Sequence, residues 1–177
     1  MCEYCGCREN PAIGRLMDEH DQLLTQLDRA RRQLAAGDGA GLEQTLTEFG
    51  ALLGAHTGLE EAGIFAAMKQ AGEFVEVVDE LTQEHRDLDS VLAALDTTAA
   101  DLDQQLVVMT ADLTEHIDKE NNGIFPASVV SLHPQDWLVV ERAHAHLGPG
   151  HDHGHDGHGH EHGHQHDDEH GHEHDPH

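Results

Sequence analysis

A chain of 177 residues with a formal charge of -26, 9 Lys and Arg against 35 Asp and Glu, is a poor partner for phosphate backbones and anionic membrane surfaces and a natural one for cations. The length accommodates one domain with a real core plus a tail. Aromatic residues make up only 3%, Leu and Ala are abundant and Pro is scarce before residue 126, so an all-α fold is expected, and no apolar run approaches the length of a membrane span.

Residues 1–10 form a short polar arm. Its sequence, Met1-Cys-Glu-Tyr-Cys-Gly-Cys7, lacks the basic and apolar regions of a signal peptide, and a cytoplasmic location follows as an expectation. Cys2, Cys5 and Cys7 cannot staple the fold, because the chain has no other Cys to pair with them. Cys-x-x-Cys is half of a zinc or redox site, so the arm is either metal or redox chemistry or an unstructured extension.

From Pro11, a favoured first helical residue, apolar positions run Ile13, Leu16, Leu23, Leu27 and Leu34, with His20 in the same stripe. Gly37-Asp38-Gly39 breaks this first helix. A second carries Leu42, Leu46, Phe49, Leu53, His56, Glu60 and Ile64, and ends at Ala71-Gly72. The third shows Phe74, Val78, Leu81, His85, Leu88, Leu92 and Leu95. The fourth shows Leu102, Leu106, Met109, Leu113, His116, Glu120 and Ile124, with Asp101 as its expected N-cap. In every helix a ligand-type residue stands where the period calls for Leu.

Two copies of one motif carry the pattern: His56-Thr-Gly-Leu-Glu60-Glu-Ala-Gly-Ile-Phe65 and His116-Ile-Asp-Lys-Glu120-Asn-Asn-Gly-Ile-Phe125. A His and a Glu four residues apart lie on one helical face, one turn apart. The preceding segments also repeat, Leu16, His20 and Leu23 matching Leu81, His85 and Leu88, each with a Glu immediately before the His. A helical hairpin is therefore used twice.

In antiparallel helices joined by tight turns, two residues share a depth when the turn lies midway between them. His20 and His56 are centred on Asp38, His56 and His85 between Gln70 and Ala71, and His85 and His116 between Ala100 and Asp101. An up-down-up-down four-helix bundle thus brings all four histidines to one level, about 20 to 27 Å from the loops, with Glu60 and Glu120 about 6 Å along the axis. A single buried His is usually a hydrogen-bonded core residue, but four at one depth beside two carboxylates ask for cations. Imidazole and carboxylate without thiolate suit iron, manganese or zinc, and two Glu shared by two pairs of His suggest a paired site.

Residues 133–147 read as a short fifth helix with Pro134 at its start, Asp136 in its first turn and Trp137, Leu138 and Val140 packed on the bundle. His144 and His146, near its end, are expected to face solvent. From residue 148 to 177 the composition changes to Gly, His, Asp and Glu, which cannot bury enough surface to fold and reads as a disordered tail. Its spaced imidazoles beside carboxylates form a flexible chelator for nickel, zinc, copper or cobalt, or else a solubilising tail whose charge changes as His protonates. The expected organisation is an arm at 1–10, a bundle with a short C-terminal helix at 11–147, and the tail at 148–177.

Over about residues 11 to 130 the pattern His20, His56-x-x-x-Glu60, His85, His116-x-x-x-Glu120 resembles the hemerythrin-like family, also called the HHE cation-binding domain. Gly-Ile-Phe, followed by Pro126 in the second copy, is similar to the family's Ile-Phe-Pro signature. The resemblance implies a non-haem di-iron centre (manganese or a mixed pair would also suit the ligands), bridged by Glu60 and Glu120 and reacting with dioxygen, nitric oxide or peroxide. Oxygen-carrying members have a further His and a further carboxylate where this chain has Asp89 and Asn121, which points away from stable oxygen storage and toward sensing, peroxide or NO chemistry, or iron handling. Asp89, Glu19 and Glu84 read as solvated residues or as neighbours of the ligands. Ferritin-like bundles, by contrast, supply Glu-x-x-His, an order absent from these helices. No motif defines an organic substrate, and metal storage or trafficking through bundle and tail is the alternative function.

Overall fold

The computed structural model describes residues 6–147. Among these the chain is helical throughout and contains no strand: a 3₁₀ turn Cys7–Glu9, α1 Pro11–Ala36, α2 Gly39–Glu60, a π-helical turn Glu61–Phe65, α3 Ala66–Ala71, α4 Val75–Ala94, α5 Leu102–Lys119, a second π turn Glu120–Ile124, α6 Phe125–Ser131 and α7 Pro134–Leu147. α2 runs through its π turn into α3 as one rod, and α5 likewise into α6. With α1 and α4 these rods make the up-down-up-down bundle, and α7 packs on the first π turn and α3.

The ends of the rods follow from local chemistry. Asn10 caps α1, its side-chain oxygen accepting from Ala12 N at 3.0 Å and Ile13 N at 3.4 Å, and Pro11 fills the first helical position. Gly37 takes the left-handed conformation at φ 71° that closes α1, and Asp38 then caps α2 by accepting from Gly41 N at 3.0 Å. Gly72, at φ 75°, closes α3 in the same way. Asp101 stands at the start of α5 without capping it: its carboxylate accepts instead from the Gln105 amide at 3.0 Å. His133 N–H donates to Asp136 at 2.9 Å, which fixes the start of α7.

Buried side chains divide into two clusters. Leu23, Leu27, Phe49, Leu53, Leu106, Met109 and Leu113 fill the bundle on one side of the histidine level. Ile13, Leu16, Ile64, Phe65, Met68, Leu81, Ile124, Phe125 and Val140 fill it on the other. The ligand-type residues occupy the level between two dry plugs, where a charge has no water to solvate it.

Several apolar expectations are corrected. Phe74, assigned by spacing to the third helical stripe, precedes α4 in the left-handed region at φ 51° and is 48% exposed. Leu138 is also exposed, and the packing of α7 falls to Val140, Ala143 and Trp137. Cys7 is not part of a loose extension: it is buried in the core and disulfide-bonded, while Cys2 and Cys5 lie outside the described residues. The adjoining Arg8 pairs with Asp18 at 2.5 Å and Asp21 at 3.2 Å, which ties the arm to α1. The His-rich segment 148–177 likewise lies outside the described residues.

The docking of the arm depends on a missing side chain. A Cβ at Gly14 would stand 2.7 Å from the Arg8 carbonyl oxygen, so backbone would have to move, whereas a Cβ at Gly54, in the middle of α2, meets nothing within 4 Å. Gly14→Ala is expected to destabilise the fold by about 1–3 kcal/mol through overpacking. Gly54→Ala is expected to stabilise it by about 0.5–1 kcal/mol through helix propensity. Denaturant unfolding of the two variants tests both signs.

Candidate metal centre

The four helical rods each deliver one histidine to the same level, α2 adds Glu60 as its last residue, and the second π turn adds Glu120 as its first. All six side chains are buried, and Glu60 and Glu120 have no exposed surface. The six residues form two overlapping groups, His20, His56, Glu60, Glu120 and Glu60, His85, His116, Glu120, with donor atoms within 4.8 Å of one another in each.

Each of the two carboxylates faces both histidine pairs. Glu60 turns Oε1 toward His56 Nε2 at 3.1 Å and His20 Nε2 at 3.6 Å, and Oε2 toward His85 Nε2 at 3.4 Å. Glu120 turns Oε2 toward His20 Nε2 at 3.0 Å, and Oε1 toward His116 Nε2 at 3.2 Å and His85 Nε2 at 3.7 Å. Each Glu therefore offers one oxygen to the His20–His56 pair and the other to the His85–His116 pair. These approaches lack hydrogen-bond alignment, so all four carboxylate oxygens and the Nε2 atoms of His20 and His56 are buried without a hydrogen-bond partner. Imidazole nitrogens and carboxylate oxygens aimed at a common space without hydrogen-bond partners are what cation ligands present.

The outer ring nitrogens settle the tautomers. His56 Nδ1 meets Glu19 at 3.0 Å, His85 Nδ1 meets Glu61 at 3.0 Å, and His116 Nδ1 meets Glu84 at 2.8 Å. An ionised carboxylate only accepts, so in these three rings Nδ1 carries the proton and donates. His85 and His116 also meet Nε2 to Nε2 at 3.0 Å, so in the metal-free chain one of that pair holds a proton on Nε2 as well, and releasing it bares both lone pairs toward the centre. His20 Nδ1 meets the amide oxygen of Asn121 at 3.2 Å. Every ring is thus oriented by a residue adjacent in sequence to a different member of the six.

The repeated Gly-Ile-Phe also acquires a role. Phe65 stacks on the His85 ring with centroids 5.5 Å apart, and Phe125 stacks on His20 at 5.8 Å. Each π turn comes directly at or after the Glu, adding backbone that lets that Glu and the following Ile and Phe all face inward. Gly63, inside the first π turn, faces α7, and a Cβ there would make ordinary contact with Ala143 Cβ at 3.5 Å.

Protons supply the compensating charge when the residues are considered alone. Burial resists charging His20, yet the Glu120 and Glu60 carboxylates outweigh it and raise its pKa to about 10. The same contest raises His85 to about 10 and His56 to about 9, and raises His116 as well. Burial likewise opposes ionisation of Glu60 and Glu120, but the surrounding imidazoles hold both well below the usual carboxylate range. A site that stabilises its carboxylates only by collecting positive charge is matched to cations.

A cleft of about 220 Å³ between α4 and α5 leads to this level, lined by Glu84, Asp87, Leu88, Val91, Asp112, Glu115, His116 and Lys119. Lys119 Nζ holds the Glu84 carboxylate at 2.5 Å on that cleft wall. Asp89 is exposed and stands apart from the six. His146 is exposed as expected, but His144 is half-buried, and burial and the nearby Arg15 lower its pKa. Glu61, Asn121, Phe65 and Phe125 had no role assigned from the sequence. The available signal was the place of Glu61 and Asn121 directly after Glu60 and Glu120, and of Phe65 and Phe125 at the same position in both copies of the repeat.

Residues 12–128 match the family model described as the hemerythrin HHE cation-binding domain. No curated protein and no solved structure is significantly similar to the chain. No helix among the described residues is long and apolar enough to cross a membrane. The match spans most of the chain, and the chain belongs to the hemerythrin HHE cation-binding domain family.

Proposed function

We propose that this member of the hemerythrin family holds two non-haem iron ions, one between His20 and His56 and one between His85 and His116, bridged by Glu60 and Glu120, and that it binds, senses or reduces a small oxidant. The observation that carries the reading is the division of each carboxylate, one oxygen to each histidine pair, with all four oxygens unpartnered. Iron would supply the electrons and the open coordination position that dioxygen, nitric oxide or peroxide requires.

The protein's own residues supply the rest. Glu19, Glu61, Glu84 and Asn121 fix the ring orientations. Phe65 and Phe125 cover two of the rings and exclude water. With four imidazoles and two shared carboxylates, each position has about four protein donor atoms, which leaves room for an exogenous ligand at both. The α4–α5 cleft offers a route for a diatomic or peroxide molecule to His116.

The test is anaerobic mixing of the reduced, iron-loaded full chain with dioxygen, nitric oxide and peroxide in turn, followed optically. A rapid, stoichiometric change with one of them, lost in a His56→Ala/His116→Ala variant, is the expected result. No response to any of the three contradicts the reading. A long-lived complex with dioxygen would instead place the chain among oxygen carriers, against the expectation from Asp89 and Asn121.

A second reading, metal storage or delivery, is favoured by one observation, the Gly, His, Asp and Glu composition of residues 148–177. Deleting those residues separates the two. Oxidant reactivity that survives deletion supports the first reading, and loss of most metal capacity and of function supports the second.

A further inference from the structure

The two halves of the site are related by a pseudo-twofold exchange that follows the internal repeat. His20 exchanges with His85, His56 with His116, Glu60 with Glu120, Glu19 with Glu84 and Phe65 with Phe125. The outer contacts have counterparts: Glu19 to His56 at 3.0 Å mirrors Glu84 to His116 at 2.8 Å, and Phe65 on His85 mirrors Phe125 on His20. At the centre, by contrast, His85 and His116 share an Nε2–Nε2 hydrogen bond at 3.0 Å that His20 and His56 do not. The remaining pair of contacts keeps its geometry but not its charge. His85 Nδ1 donates to the Glu61 carboxylate at 3.0 Å, while His20 Nδ1 donates to the neutral Asn121 amide at 3.2 Å.

The neighbouring cations do not restore the balance. Arg15 lies 2.8 Å from Glu19 on one side, and Lys119 lies 2.5 Å from Glu84 on the other, so one carboxylate in each half is shared with a cation. Among the groups that hold the outer ring nitrogens, what is left over is Glu61 against Asn121. An imidazole whose N–H is held by a carboxylate is a more basic ligand than one held by an amide.

We propose that the two metal positions are inequivalent and that the His85–His116 position binds its ion the more tightly, because Glu61 backs His85 where Asn121 backs His20. This rests on the paired-metal reading above. The bridging carboxylates serve both positions alike, so the difference is set by residues that do not touch the ions. Glu61 and Asn121 are positioning residues acting through His85 and His20. The expected preference is about 10–100-fold, the usual effect of altering such a partner. The His20–His56 position is then the one filled last and emptied first.

The test is anomalous scattering from crystals of the full chain grown with one equivalent of cobalt. Density is expected between His85 and His116, with little between His20 and His56. Asn121→Asp gives His20 a carboxylate and is expected to even out the two occupancies. Because a carboxylate at that place could itself approach the ion, Glu61→Gln provides the reciprocal arm: it removes the excess charge from His85, leaves the other half untouched, and is also expected to equalise the positions. Equal occupancy in the unaltered chain, or a preference that persists in both variants, overturns the inference while leaving the paired site intact. Density at neither position overturns the paired site itself.

Discussion

Glu60→Gln and Glu120→Gln are each expected to lower affinity for divalent ions at the buried centre by more than about a hundredfold, since loss of a residue that merely orients a ligand costs about 10–100-fold. Combining them is expected to abolish binding there. The effect is large because each carboxylate faces both histidine pairs, so one substitution weakens two positions at once. The amide keeps the volume of the acid, which leaves no cavity between the two plugs of the core. The uncompensated imidazoles can shed their protons, which spares the fold most of the several kcal/mol that stranding a buried charge would cost. Retained helical circular dichroism with lost metal is therefore the predicted combination. Glu43→Gln, on the exposed face of α2, serves as the control and is expected to change neither. Metal titration with an optical readout of the buried site, together with circular dichroism, checks all four variants.

The metal-free chain is expected to lose stability as pH rises above about 6.5, while the metal-loaded chain is expected to hold it. His20, His56 and His85 have folded pKa values raised from an ordinary 6.5 to about 10, 9 and 10. A raised value contributes stability that is complete below 6.5 and is lost as pH climbs through about 9 to 10. Glu60 and Glu120, held below their ordinary 4.5, contribute stability that is present above that value and is lost as pH falls through their lowered folded values. The metal-free protein is thus most stable between about 4.5 and 6.5 and weakens steadily toward pH 10.

Loading metal replaces the imidazole protons with ions. Apparent affinity should rise about tenfold per pH unit for each proton displaced. Thermal unfolding from pH 6 to 9 is expected to show the melting temperature of the metal-free chain falling while the gap to the loaded chain widens. Parallel curves would mean that the six residues are paired among themselves and not prepared for metal.

The depth of the six residues could be counted from the sequence because the turns have unambiguous chemistry. Gly37 and Gly72 take left-handed conformations that only glycine adopts at little cost, so the rods stop where spacing says they must. That the six candidate positions converge was equally plain, since polar residues standing in a Leu stripe ask to be explained by what they face. Phe74 was not legible: an aromatic residue in register with a helical period is indistinguishable from a core residue until the chain is seen to reverse there with φ 51°. The π turns were hidden as well, because Glu-x-x-Gly-Ile-Phe carries no composition that separates an extra-residue turn from an α-helical one.

The orienting residues were half visible. Glu19 and Glu84 lie about 100° around the helix from the histidines they adjoin, so each helix taken alone turns them toward the surface. Only the neighbouring rod shows that Glu19 reaches His56 and Glu84 reaches His116. Asn121 was recognised as a departure from the oxygen-carrying pattern. Its use as the acceptor for His20 required the fold.

The most direct test of the bridged pair is the Mössbauer spectrum of the full chain loaded with isotopically enriched iron and oxidised, recorded with and without an applied field. Two high-spin ferric ions coupled to a diamagnetic ground state, with the coupling lost in the Glu60→Gln/Glu120→Gln chain, is the predicted result. Isolated paramagnetic ferric ions, unchanged by that double substitution and removed by deleting residues 148–177, would contradict it and place the metal outside the bundle.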